Sequence, residues 1–254
     1  MKHFVIPDTQ VKDGHDVEYL EKAGRYIVEK QPDVIIQIGD WADMESLSSY
    51  DVGTKKFEGK RYVKDVEASR KAMSALLKPI DEFNAQAKKN GKKQYKPRKV
   101  LTLGNHENRI NRAVNLDPKL EGVLSVDDLG YHEFGWEVHD FLEVVVIDGV
   151  AYSHYFVTGT AGRAASTAAA QLNKKHMSCI AGHQQGLQIA TANRADGAMI
   201  TSIIAGSFYE HDEDYMGPQG NQHWRGCLML HEVSDGKFDL MPLSLNYLNN
   251  RKYK

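Results

Sequence analysis

Five short apolar runs in this 254-residue chain end on side chains of the kind that ligate cations, and that pattern constrains the fold more than any other feature. Phe4 to Ile6 is followed by Asp8 and Gln10, Val34 to Ile38 by Gly39-Asp40, and Val100 to Leu103 by Gly104-Asn105-His106-Glu107. A later run from Val150 ends at Ser153-His154, and Ser178 to Ala181 ends at Gly182-His183-Gln184-Gln185. Aliphatic runs of this length bounded by glycine read as buried strands. Between the first three strands, Tyr19, Leu20, Ala23, Tyr26 and Ile27, and then Val66, Met73, Leu76, Leu77, Ile80, Phe83 and Ala87, recur at helical spacing. Pro79 should kink the second helix or start a new one. Strands alternating with helices predict a mostly parallel sheet covered on both faces, whose crevice lies beyond the carboxyl ends of the strands. The polar tips should therefore meet.

After about residue 135 the runs come closer together: Trp136 to Val138, Leu142 to Ile147, Val150 to Ser153, Ser178 to Ala181, Gly186 to Ala190, Ala198 to Ala205, Cys227 to Val233 and Phe238 to Met241. One helix, about Arg163 to Lys174, interrupts them. Asp148-Gly149 and Asp235-Gly236 are hairpin turns by composition. This half predicts a more antiparallel sheet packed on the first, so the fold class is an α/β two-sheet sandwich flanked by helices. No repeat or linker divides the chain, and residues 1–254 read as one domain.

The composition excludes several classes of function. With 32 Lys and Arg against 34 Asp and Glu, the formal charge is −2, so the surface as a whole is no cationic glove for nucleic acid. Two cysteines, Cys179 and Cys227, cannot staple a secreted scaffold. No apolar stretch approaches a membrane span, and the first residues carry no signal-peptide pattern. A cytoplasmic protein with no membrane partner is the expectation.

Asp8, Asp40, Asn105, His154 and His183 offer carboxylates, imidazoles and an amide oxygen. That set suits metal-assisted attack on phosphorus, in which two cations about 3.5–4 Å apart activate water and hold the phosphoryl oxygens. Any one of these residues alone is explained by a helix cap or a satisfied core histidine. Five of them at successive strand ends are not.

In these motifs the sequence resembles the calcineurin-like metallophosphoesterases, whose pattern is D-x-H, G-D-x-x-D, G-N-H-[DE], a lone His and G-H-x-H. The counterparts are Asp8-Thr9-Gln10, Gly39-Asp40-Trp41-Ala42-Asp43, Gly104-Asn105-His106-Glu107, His154 and Gly182-His183-Gln184-Gln185. More loosely, the chain resembles the copies of this family carried by bacteriophages. The resemblance implies the family's two-sheet fold and two divalent cations, Mn²⁺ first, with Mg²⁺, Zn²⁺ or Fe as alternatives. It implies that Asp40 bridges both, that Asn105, His154 and His183 complete one site, and that Asp8, Gln10 and Gln185 complete the other. His106 would face the substrate, steadying the phosphoryl group or protonating the leaving oxygen, while Asp43 and Glu107 would support the ligands from behind.

Gln10 and Gln185 replace the histidines of the first and last motifs, and both fall on the same site. That site becomes all-oxygen, suited to Mg²⁺ or Mn²⁺, whereas its neighbour keeps two imidazoles. An unequal pair of sites is expected, with a vacant first site the alternative.

The substrate clues are basic. Lys55, Lys56, Lys60, Arg61 and Lys64 surround Phe57 and Tyr62 in a loop after the Asp40 turn, a combination that suits nucleotide or single-stranded substrates. The seven cations between residues 88 and 99 join a helix end to a strand start, away from the ligands. Thr158 to Arg163 should open a helix whose amides, with Arg163, could hold phosphate. Arg109 has a similar claim. His211-Asp212-Glu213-Asp214 reads as a solvated acidic loop. The resulting expectation is a phosphoester hydrolase, a phosphodiesterase or nuclease before a phosphomonoesterase, with a catalytically impaired phosphate- or nucleic-acid-binding protein as the alternative.

Overall fold

The computed structural model describes residues 1–252, the side chain of Tyr215 excepted. The strands are β1 His3–Ile6, β2 Val34–Gln37, β3 Arg98–Thr102, β4 Glu137–His139, β5 Val145–Ile147, β6 Val150–Tyr152, β7 Cys179–Ala181, β8 Gln188–Asn193, β9 Met199–Ile204, β10 Gly226–Ser234 and β11 Lys237–Ser244. The helices are α1 Glu18–Lys30, α2 Tyr62–Lys89, α3 Asn108–Leu116, α4 Ala168–Lys175, the single turn α5 Gly217–Gly220, and α6 Leu245–Asn250.

Two mixed sheets form. One has the order β11-β10-β1-β2-β3-β4, the other β5-β6-β7-β9-β8. β1 to β4 are parallel, as the strand–helix alternation predicts. The expectation of a separate antiparallel second half needs correction: β4, β10 and β11 join the first sheet, and in the second sheet β6, β7 and β9 run parallel. Strand period alone carries no information about which sheet a strand joins, because either placement buries the same residues.

Alternation along each strand builds the layers. Phe4, Ile6, Ile35, Leu101, Cys227 and Met229 face the helices α1 and α2, whereas Val5, Val34, Ile36, Val100, Leu228 and Leu230 face the second sheet. There they meet Val145, Ile147, Tyr152, Ile180 and Ile203. Since both faces of β1 to β3 are covered, their sequences read as unbroken apolar runs. The Asp148-Gly149 and Asp235-Gly236 turns take the left-handed conformations of two-residue hairpins, with φ of 48° and 82°, and 50° and 78°.

α2 continues through Pro79 without a break. Proline costs a helix about 3 kcal/mol or more unless packing offsets it. Here Pro79 is buried against α1, where Gly24 lies so close that an added Cβ would stand 2.2 Å from Leu76 O. The helix expected from Arg163 begins instead at Ala168, where the Thr167 hydroxyl accepts from Ala170 N at 3.1 Å. No described helix is long and apolar enough to cross a membrane.

Candidate metal centre

The strand tips converge as expected. Beyond β2, Asp40 lies in the left-handed region at φ 49°, and so do Gln10, Met44 and His183 at 41°, 54° and 66°. Four non-glycine residues in this sparsely populated conformation around one site indicate locally stored strain. Thr9 N and Gln10 N both donate to Asp40 O, at 3.0 and 2.9 Å, which locks the β1 tip to the β2 tip.

Glu107 locks the third tip. Its fully buried carboxylate accepts from Asp40 N at 3.0 Å, Ala42 N at 2.8 Å and Gly104 N at 2.8 Å. Asp40 in turn accepts from His106 N at 2.8 Å. Gly104 must be glycine, because a Cβ would sit 2.1 Å from Asp40 N and Oδ1. At Gly182 a Cβ would sit 2.2 Å from Asp8 Oδ1.

Asp40, His154 and His183 bring one ligating atom each to within 4.8 Å of one another. Asn105 Oδ1 sits among them, 2.9 Å from His154 Nε2 and 2.8 Å from His183 Nδ1. His154 Nδ1 meets Ile38 O at 3.0 Å, so its proton belongs on Nδ1 and Nε2 is left for a ligand. A carboxylate, an amide oxygen and two imidazoles with one tautomer already set are a donor set that fits Mn²⁺, Zn²⁺ or Fe.

The electrostatics match. Burial pushes Asp40 toward neutrality, but His106 and His154 outweigh it and hold the carboxyl well below the usual range. Burial opposes charge on His154 too, yet Asp40 and Asp8 raise it to about 9. His183 falls to about 4 through burial and the nearby His154. Asp8 rises to about 7, because it is buried and Asp40 lies near.

The second expected site is less assembled. Asp8 is buried beside the cluster, but both of its oxygens accept from His183 N, at 3.0 and 3.1 Å. The amide oxygen of Gln185 accepts from Tyr209 OH at 3.1 Å. Gln10 is buried and borders the cavity that opens in front of the cluster, about 750 Å³ in volume. Asn105 and His106 face the same space.

His106 Nδ1 is 2.7 Å from Asp43 Oδ1, off the line of a good hydrogen bond, and Nε2 is 3.2 Å from Arg109 Nη2. Burial lowers its basicity, but Asp40 and Asp43 prevail and raise its pKa. Asp43 therefore supports His106 rather than a cation. Arg109 also donates to Asp43 O at 2.8 Å, so it borders the cavity with its guanidinium already engaged.

The remaining substrate expectations change. Arg163 lies in an exposed loop five residues before α4 and does not border the cavity. In the basic loop Lys56 pairs with Asp214 at 2.9 Å, Lys60 with Glu45, and Lys64 with Asp13 at 3.2 Å. Lys55 and Arg61 do not border the cavity. Sequence spacing cannot show partners that arrive from residues 13, 45 and 214. Glu213, read as solvated, is buried and binds Lys12 at 2.6 Å; Lys12 also binds Asp43 at 2.9 Å. Lys12 carries no signal in its residue pattern beyond its position four residues after Asp8. His139 bonds Glu137 and Glu143, and His223 bonds Ser207 at 2.8 Å, so both are structural. The thiols of Cys179 and Cys227 are buried and free. No family model matches the chain, and no curated protein matches it.

Proposed function

We propose that this chain is a metal-dependent phosphoester hydrolase of the calcineurin-like metallophosphoesterase type, with that family's two-sheet sandwich. The observation that carries the reading is the convergence of Asp40, Asn105, His154 and His183 from four separate chain tips on one point. Divalent cations held there would supply Lewis acidity toward the phosphoryl oxygens and lower the pKa of an attacking water. Asp40 brings the negative charge, fixed from behind by Glu107. His154 offers Nε2 because Ile38 O keeps the proton on Nδ1. His106 faces the cavity, and Asp40 and Asp43 raise its pKa, so it is the group placed to give a proton to the leaving oxygen. Asp43 stabilises the charged ring.

The pairing of Lys56, Lys60 and Lys64 with carboxylates weighs against a nuclease. A small phosphoester fits better. The second reading, a phosphate-binding protein without turnover, is favoured by the engagement of Asp8 and Gln185 with protein groups. Hydrolysis of bis-p-nitrophenyl phosphate and p-nitrophenyl phosphate with added Mn²⁺ separates the two. The proposal expects turnover that is abolished in Asp40→Ala and reduced about 10²- to 10⁴-fold in kcat in His106→Ala. Absence of turnover with Mn²⁺, Mg²⁺, Zn²⁺ and Fe²⁺ would leave the binding reading.

A further inference from the structure

The cavity does not end at the metal centre. From Asn105 and His106 it runs outward to His15, His211 and Tyr50, of which Tyr50 is 86% exposed. The His211 ring stacks on Tyr209, with centroids 4.4 Å apart and planes 18° apart, and Arg225 covers the Tyr209 ring at 4.9 Å. His15, an exposed residue that lines the cavity, adds a tilted ring 4.9 Å from His211. We propose that the His15 ring, backed by His211 and the buried Tyr209, forms a stacking platform for the heterocycle of a single nucleotide whose phosphoryl group lies at the metal centre. The proposal rests on the phosphoesterase reading and names its substrate class.

Three features support it. The platform is rigidly tied to the chemistry: Glu213 Oε1 holds His211 Nε2 at 2.8 Å and Lys12 at 2.6 Å, Lys12 holds Asp43, and Asp43 touches His106. Burial, His211 and Lys12 outweigh Glu45 and Glu213 and push the His15 ring toward its neutral form. A neutral ring stacks on a base without needing a counter-charge.

The charge around the cavity decides between one nucleotide and a strand. Six carboxylates face four Lys or Arg side chains across this space. All four cations are already paired: Lys12 with Asp43 and Glu213, Lys56 with Asp214, Lys60 with Glu45, and Arg109 with Asp43. A strand needs a track of available cations for its successive phosphates. A single nucleotide needs none beyond the metal centre. The carboxylate of Asp51, which has no cation partner among the described residues, is an acceptor at the rim for ribose hydroxyls or exocyclic amines.

Equilibrium binding of adenosine, compared with ribose, tests the platform without any phosphate or turnover. Adenosine should bind measurably and ribose should not. His15→Ala, a change at an exposed position, should weaken adenosine about tenfold, and His15→Phe should restore it, because stacking needs a ring and not an imidazole. In the Mn²⁺-loaded enzyme the ratio of KM for adenosine monophosphate to KM for glycerol phosphate should rise about tenfold in His15→Ala. Equal binding by wild type and His15→Ala, or failure of His15→Phe to restore, overturns the proposal. So does tighter binding of a 20-nucleotide strand than of adenosine monophosphate at 0.15 M salt. Loss of turnover on every phosphoester with adenosine binding intact would overturn the phosphoesterase reading and leave the platform standing.

Discussion

Glu107 makes no expected contact with substrate, yet the geometry gives it the largest single structural debt at the site. Three backbone N–H groups, from Asp40, Ala42 and Gly104, end on its two oxygens, and all are buried. Glu107→Ala leaves the three donors without acceptors. Each orphaned donor costs about 1–3 kcal/mol, so the ceiling is about 9 kcal/mol; water entering the vacated space should satisfy some and bring the loss to about 4 kcal/mol. In a chain of this size that corresponds to a fall in Tm of about 10 °C. Glu107→Gln is the informative comparison. Its amide oxygen can keep Asp40 N and Gly104 N, while its NH₂ turns to Ala42 N and Tyr131 OH, so one N–H is lost at about 2 kcal/mol. Urea unfolding of the chelated protein, with m-values compared, measures both. A loss below 1 kcal/mol in Glu107→Ala would refute the claim that this carboxylate holds the tips together. Identical losses in the two variants would refute the counting of donors.

Other consequences can be measured with the same protein. In the metal-free state His154 has its pKa raised from 6.5 to about 9, so its proton contributes stability that is complete below about pH 6.5 and lost as pH rises through 9, at most about 3 kcal/mol. Denaturation midpoints that rise from pH 7 to 9 would contradict this. The same proton must leave before Nε2 can ligate, so Mn²⁺ affinity should increase with pH up to about 9, and calorimetry in buffers of different ionisation enthalpy at pH 7.5 should detect about one proton released. pH-independent binding would count against His154 as a ligand. Gly104→Ala should abolish metal binding while the protein remains folded, because its Cβ displaces Asp40 at 2.1 Å. Metal titration should show one tight and one weaker site, since Asp8 and Gln185 are partly engaged by His183 N and Tyr209 OH; two equally tight sites would be a contradiction.

Much of this site was legible in the residues, for a physical reason. A ligand at a strand tip follows a run whose burial on both faces makes it conspicuous, and glycine precedes it where no Cβ fits, as at Gly104. Asp40, Asn105 and His183 each follow such a glycine, and His154 follows Ser153 at the end of the same kind of run. The parallel order of β1, β2 and β3 was legible through the intervening helices. The placement of β4, β10 and β11 was not, because a hairpin such as β10-β11 pairs locally, and nothing in its period states that β10 lies beside β1. The start of α4 was missed because Thr158 to Gly162 offers several capping residues, and only packing selects Thr167. Charge pairs were least visible. Lys12 with Glu213 and Lys56 with Asp214 join residues far apart in sequence, and that pairing turned an apparent nucleic-acid patch into a nearly self-neutralised rim.

The central claim is that these four tips hold a cation that drives phosphoester chemistry. Crystals soaked in Mn²⁺ and measured at the manganese absorption edge test it most directly. An anomalous peak within coordination distance of Asp40, Asn105, His154 and His183 is the result expected, and its loss in Asp40→Ala should follow. A well-diffracting crystal with no anomalous density among these side chains would contradict the account.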